Sequence, residues 1–196
     1  IFYVKKDPQT LREFQVYRHE LGTDSKKDIL VYQENDEKFS VHISKTITDK
    51  FITIDIVSST TSEVRLIDAD QPSKEPIVFL NREKGHLYEI EHHEKGFYIL
   101  SNKNASNRKV VFSSKIPVSI DECAEVISHS NNVLIESILS LKDVLVTEIR
   151  TNGLLKIQLT DLATRKNKFI EFKEETFFTG LGLNDDYTSN TLFFNY

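Results

Sequence analysis

The chain has no methionine and no tryptophan, one cysteine, four prolines and six glycines among 196 residues. Each scarcity removes a class of protein. A lone Cys123 cannot form an internal disulfide and suits a reducing compartment. No basic, apolar, small-residue leader stands at the start, so the expected location is the cytoplasm. Lys and Arg total 25 against 30 Asp and Glu, a formal charge of −5 with a pI of 5.7, and no long basic run occurs. Nucleic-acid affinity comes mainly from neutralising phosphates, so that partner is excluded. Apolar runs are short, Thr53 and Asp55 interrupting the stretch 51–57, whereas a bilayer span needs about 20 apolar residues. No membrane crossing is expected. None of Gly22, Gly85, Gly96, Gly153, Gly180 and Gly182 brackets a serine, so the Gly-x-Ser-x-Gly nucleophile elbow is missing. Gly180-Leu181-Gly182 lacks the third glycine and the helix of a nucleotide-binding turn. With no methionine, a start at Ile1 and strand-like residues at 191–196, the chain reads as a piece cut from a longer polypeptide.

What is present is a repeat. Strand-like segments open at Phe51, Phe97, Val144 and Thr191, at gaps of 46, 47 and 47 residues, and an earlier copy at Phe2 lies 49 residues before Phe51. Within one period, residues 38–45, 51–58, 63–68 and 76–80 are four short apolar-rich runs separated by turn residues. Phe39, Val41 and Ile43 alternate with Ser40 and His42, and Ile52, Ile54 and Ile56 alternate with Thr53 and Asp55, the period of half-buried strands. The next copy comprises 87–92, 97–101, 109–112 and a fourth strand near 124–128. Residues 121–127 could alternatively form a short helix, and the repeat favours the strand. The third copy is 133–138, 144–149, 154–159 and 169–172. Incomplete copies flank these, 2–5, 15–20 and 29–33 at one end and 176–181 and 191–195 at the other.

Four strands in roughly 40 to 50 residues at constant spacing are the mark of a β-propeller blade. A β-sandwich does not repeat in fours and a β-helix repeats faster. The expected fold is therefore all-β, four-stranded antiparallel blades forming part of a β-propeller, with three complete blades and two partial ones. The blades are placed at 1–34 (partial), 38–80, 86–128, 133–172 and 176–196 (partial). No Pro/Gly/Ser linker divides the chain, so it reads as one continuous piece of one domain. Turns fall at Asp7-Pro8, Thr48-Asp49-Lys50, Glu94-Lys95-Gly96, Asn152-Gly153 and Asn184-Asp185-Asp186.

No catalytic, cofactor-binding or metal-ligating set is identified. His92-His93-Glu94 is the densest metal-like cluster, but neighbouring strand residues point to opposite faces, and a solvated strand end is the expected role. His19, His42, His86 and His129 lack ligand-spaced companions and read as ordinary polar or packed residues. Cys123 reads as a small buried side chain. Asn104-Ala105-Ser106 matches a glycosylation acceptor without a secretory signal, and Glu174-Glu175 and Asp185-Asp186 read as turns.

Specific strings give a family resemblance: Phe2-Tyr3-Val4-Lys5-Lys6-Asp7-Pro8, then Val16-Tyr17-Arg18-His19-Glu20-Leu21-Gly22-Thr23, then Leu30-Val31-Tyr32-Gln33-Glu34. They resemble the propeller of the prolyl oligopeptidase family. The likeness continues through residues 58–65, 82–88, 152–154, 161–164 and 170–172. The run Ser58-Ser59-Thr60-Thr61-Ser62-Glu63-Val64-Arg65 and the charged run ending Gly85-His86-Leu87-Tyr88 point to the oligopeptidase B, or protease II, branch. The stretches 193–196 and 119–128 depart from the family pattern.

The resemblance implies a middle stretch of a seven-bladed propeller that caps an α/β-hydrolase domain in cytosolic serine peptidases. The Ser, Asp and His of the triad lie in the domain that follows the propeller, so no catalytic residue transfers to this chain. It further implies cleavage of short peptides after Arg or Lys, a size-excluding gate as the propeller's task, and the hydrolase domain and short basic peptides as partners. The alternatives are the propeller of a prolyl-specific oligopeptidase and a non-enzymatic propeller scaffold for protein binding. Cut blades would leave apolar edges, so self-association of the isolated fragment is also expected.

Overall fold

Nearly every strand pairs with the strand that follows it in sequence, which is what short polar turns between alternating segments dictate. The computed structural model describes residues 1–196 and divides into two units, Ile1–Leu87 and Tyr88–Tyr196.

In the first unit, β1 (Phe2–Lys6), β2 (Glu13–Arg18) and β3 (Ile29–Gln33) form a three-stranded antiparallel sheet. A four-stranded meander follows: β4 (Ser40–Lys45), β5 (Phe51–Val57), β6 (Ser62–Asp68) and β7 (Ile77–Val78). Val41 stands opposite Ile56 and Ile43 opposite Ile54, so one face of the hairpin is continuously apolar. That face packs with Val16, Phe39 and Ile67 in a single core. The tight β4–β5 turn is closed by Thr46, whose Oγ1 accepts from the Phe51 amide, and by Asp49 at φ +57°, a conformation that aspartate tolerates better than most residues. The polar alternates of β5 are less exposed than period two implies: Thr53 is buried and Asp55 half-buried. Thr53 donates to Asp55 and shares a hydrogen bond with Ser44.

In the second unit, β8 (Tyr88–His93), β9 (Gly96–Ser101), β10 (Lys109–Ser113) and β11 (Ala124–Ile127) make one antiparallel sheet. All six residues of β9 are buried, the near-continuous apolar pattern of a strand covered on both faces. Residues 124–127 are a strand, and the helical tendency of this region is confined to one 3-10 turn, Ile120–Glu122, capped by Ser119. The next sheet contains β12 (Leu134–Ser140), β13 (Val144–Thr151), β14 (Leu154–Asp161) and β15 (Asn167–Phe169). Its central hairpin turns on Asn152 and Gly153 at φ +49° and +81°, with Thr151 paired to Leu154, the two-residue turn whose twist matches its strands. The two sheets share one core, in which Tyr98, Leu100 and Val110 meet Ile135, Ile138, Leu145 and Ile149. A last pair, β16 (Gly180–Leu181) and β17 (Phe194–Asn195), ends the chain.

Phe51, Phe97 and Val144 all lie at the start of the second strand of their sheets, as the constant spacing requires. The outer strands differ from expectation. The fourth strand of the last complete sheet is Asn167–Phe169 rather than 169–172, because the preceding turn fixes the register. Asp161 Oδ1 accepts from the Ala163 and Thr164 amides and the Asp161 amide donates to Lys166 O, which sets Asn167 opposite Thr160. Phe172 lies outside the sheet, stacked on Tyr196 and tilted against Phe177. The expected strands 76–80, 176–181 and 191–195 shrink to two residues each. In the first of these, Phe79 and Leu80 leave the ladder to become core side chains.

Near the end of the second unit Phe178 is 78% exposed and Phe193 61% exposed, and β17 pairs on one side only. Open apolar edges template pairing with other chains. The isolated chain is therefore expected to self-associate, seen in sedimentation velocity as a concentration-dependent increase in mass. A single monomeric species at every accessible concentration would contradict this.

Candidate functional site

The chemistry-bearing side chains divide into charge networks and isolated polar groups. No three His, Cys, Asp or Glu side chains converge in a way that would hold a metal ion. His92 and His93 diverge as adjacent strand residues must, and His92 packs edge-on against Phe97. His93 is not a solvated strand end: it is 1% exposed. Its Nδ1 accepts from the Lys95 amide at 3.0 Å, which leaves Nε2 as the protonated nitrogen donating to Lys142 O at 3.0 Å. Tyr98 and Tyr187 meet the ring edge-on, at 5.9 and 5.7 Å between centroids. Tyr187 also accepts from the Glu94 amide through its hydroxyl, while its carbonyl accepts from the Lys142 amide. One imidazole thus pins the β8–β9 turn, the β12–β13 turn and the segment before β17.

His19 and Asp28 form a second unforeseen pair across the connection from β2 to β3. His19 Nδ1 lies 2.7 Å from Asp28 Oδ1, and Tyr3 donates to Asp28 Oδ2 at 2.7 Å. The Tyr3 phenol is pushed up to about 12, first by that hydrogen bond to a carboxylate, while the same bond and the one from His19 hold Asp28 below the usual carboxylate range. This is an imidazole with an orienting carboxylate, but the phenol is bonded to that same carboxylate and not to the imidazole. A serine-imidazole contact elsewhere, Ser106 Oγ to His129 Nε2 at 3.3 Å, is exposed. Neither supplies the nucleophile, base and acid that acyl transfer requires. His42 pairs with Glu13 at 2.9 Å, and His86 is buried. Cys123 is half-buried rather than buried, and burial pushes its thiol up, away from nucleophilic reactivity. Gly180 and Gly182 lie in and beside β16, with the Gly182 amide donating to Phe193 O. They form sheet and not a phosphate cradle.

The strongest electrostatic feature lies in the first unit. Glu34 and Glu63 are each 6% exposed. Arg82 Nη2 reaches Glu34 at 2.6 Å and its Nε lies 3.3 Å from Glu63, whose other oxygen meets Arg65 Nε at 2.8 Å. Tyr32 and the Asp36 amide both donate to Glu34 at 2.8 Å. Burial pushes the Glu34 carboxyl up, and Arg82, the Asp36 amide and Tyr32 together overcome it, so the net shift is downward. The Arg82 guanidinium also lies 3.9 Å over the Phe39 ring. Beside it opens a surface cavity of about 550 Å³ that includes Lys38, Lys84 and the hydroxyl-rich turn residues Ser58 and Thr60. The network knits the segment after β3 to β6 and to the loop that follows β7. Sequence reading missed it because buried and solvated charges look alike in a string. The one available signal was Glu63 and Arg65 interleaved with Val64, Leu66 and Ile67 on one strand.

Successive four-stranded antiparallel meanders, whose second strands begin at nearly constant spacing, define a β-propeller. Over residues 1–196 the chain matches the family described as Prolyl oligopeptidase, N-terminal beta-propeller domain. It belongs to the prolyl oligopeptidase family. It is 33% identical over 158 residues to Protease 2 of Moraxella lacunata, a match covering 80% of this chain and 22% of that protein. It is 39% identical over 94 residues to the human Prolyl endopeptidase-like protein, covering 48% of this chain and 13% of that one. Among solved structures it superposes on Oligopeptidase B from Trypanosoma brucei, described as a closed form with covalently bound antipain. That match has a TM-score of 0.90 and 26% identity, over 98% of this chain and 29% of that one. The chain thus spans under a third of the length of the relatives it matches.

Proposed function

We propose that this chain is the gating portion of a cytoplasmic serine oligopeptidase of the oligopeptidase B type, which cleaves short peptides after Arg or Lys. The Ser, His and Asp of the reaction would sit on a separate α/β-hydrolase domain of the same polypeptide, its principal partner. The observation that carries the reading is the superposition on Oligopeptidase B from Trypanosoma brucei over 98% of the chain. The antipain bound covalently in that protein supports a nucleophilic mechanism in this reading. In this reading the propeller contributes exclusion and no chemistry: short flexible peptides pass its narrow centre and folded proteins do not. Motion between the two bodies then admits substrate, the kind of step that often limits turnover.

The test compares this chain with the full-length protein containing it, on fluorogenic peptides ending in Arg, Lys or Pro. The full-length protein is expected to cleave the Arg and Lys reporters and to lose that activity to a serine-directed inhibitor, while the isolated chain cleaves none. Inhibitor-sensitive turnover by the isolated chain would overturn the assignment. Cleavage by the full-length protein after Pro alone would favour the prolyl-specific reading, which the 39% identity to the human Prolyl endopeptidase-like protein supports over 48% of the chain.

A further inference from the structure

The sheets β8–β11 and β12–β15 meet through an apolar seam, Tyr98, Leu100 and Val110 on one side and Ile138, Leu145 and Ile149 on the other. One side chain does not belong to that chemistry. Glu91 stands directly opposite Tyr98 across the β8–β9 ladder, so both leave the sheet on the seam side. The nearest like charge, Glu89, is taken up by Arg108 at 3.2 Å, and no cation acts on Glu91. The single group favouring its ionised form is the backbone amide of Ser140, on β12 of the facing sheet. That facing sheet also carries three buried hydroxyls without a hydrogen-bond partner, Ser140, Thr147 and Thr160. Ser140 and Thr160 flank Leu145 in register and Thr147 stands opposite Ile138, so all three share the face that forms the seam.

We propose that Glu91 makes this seam a pH-responsive joint: its neutral acid lets the two sheets close, and its ionised form draws water to the orphan hydroxyls and loosens β12 from β8. Glu91 is half-buried; an unpaired carboxylate is costly even when partly desolvated, and so is a buried hydroxyl without a partner. Water entering the seam relieves both at once, which couples them. Burial pushes the Glu91 carboxyl from 4.5 up to about 7, with Glu89 adding to the rise and the Ser140 amide opposing it. Both forms are therefore populated around neutral pH. A carboxyl raised in the folded state holds a proton that the unfolded chain has released. The loosening therefore grows as pH climbs from about 4.5 through about 7 and is constant above. The other groups facing Glu91 are Glu89 with its Arg108, His93 and Tyr98 on its own sheet, with Arg165 and Tyr187 acting on Tyr98. The joint is independent of the peptidase reading.

Hydrogen-deuterium exchange of the full chain, corrected for intrinsic rates, tests it at about pH 5.5 and pH 8. Amides of β12 are expected to lose about tenfold or more in protection at the higher pH. Glu91→Gln, which keeps the shape of the neutral acid, should be protected at both. A wild-type seam equally protected at both pH values would overturn the proposal. A pH difference that survives in Glu91→Gln would also overturn it. A ¹³C titration of the Glu91 carboxyl gives an independent reading without substitution. A midpoint near the ordinary glutamate value would likewise defeat the idea.

Discussion

Arg82→Met is expected to destabilise the chain by about 3–5 kcal/mol, the range for breaking a buried ion pair by removing one partner. The guanidinium is the only cation paired with the Glu34 carboxylate and one of two on Glu63. Without it, two carboxylates that are almost wholly buried face each other, with Arg65, Tyr32 and one amide left to hold them. The methionine stem keeps part of the contact with Phe39, so the loss reports charge more than packing. Two companions separate the causes. Arg82→Lys restores a charge without the planar fork that reaches both acids, and should recover only part of the loss. Arg82→Met combined with Glu34→Gln should be more stable than Arg82→Met alone, since the second change removes the charge left uncompensated. Urea denaturation measures all three. A loss under about 1 kcal/mol for Arg82→Met would place the network among the ion pairs that solvent already screens.

Gly96→Ala should be at least as damaging, about 4 kcal/mol or outright failure to fold, from backbone conformation and overpacking together. Gly96 opens β9 at φ +145°, and a Cβ built there would lie 2.2 Å from Ser113 O and 2.7 Å from Ser114 Cα. These are backbone atoms of the adjacent β10 and the residue after it, and they cannot swing aside as a side-chain tip would. Gly153 is the natural control. Its φ is +81°, but nothing lies within 4 Å of its Cβ position, so Gly153→Ala should cost only about 1 kcal/mol. If thermal melting shows the two substitutions to be equivalent, close approach at the β8–β9 turn is not what selects glycine there.

The repeat was legible because it is written in local terms. Phe39, Val41 and Ile43 alternate with polar residues, and the turn at Asn152-Gly153 names its own geometry, so neighbours in sequence suffice to place the inner strands. The outermost strands were not legible to the residue. β15 is fixed by hydrogen bonds to Asp161 and not by any alternation of its own, and β7 ends where Phe79 and Leu80 become core. The polar groups that matter most were invisible for a different reason. His93 looked like part of a solvated strand end because what buries it lies 49 residues away at Lys142 and further on at Tyr187. Glu34 and Arg82 meet across 48 residues, and no window of sequence contains both. Nor does the string reveal that Glu91 and Asp55, polar alternates of ordinary strands, stand where burial raises both carboxyls.

The reach of His93 has a consequence for how the chain comes into being. Hairpins that join neighbouring strands close short loops and form within microseconds. The contacts around His93 instead need Lys142 and then Tyr187, and the bond from the Glu94 amide to the Tyr187 hydroxyl spans 93 residues. On a ribosome adding about 5–20 residues per second, Tyr187 follows His93 by about 5–20 seconds. Through that interval the imidazole and the turn it anchors wait beside a growing chain, the first sheet of the second unit complete but unsealed. Synthesis from the other end would bury Tyr187 first and leave His93 to find it, so the vectorial order of translation decides which surface is exposed to chaperones and for how long.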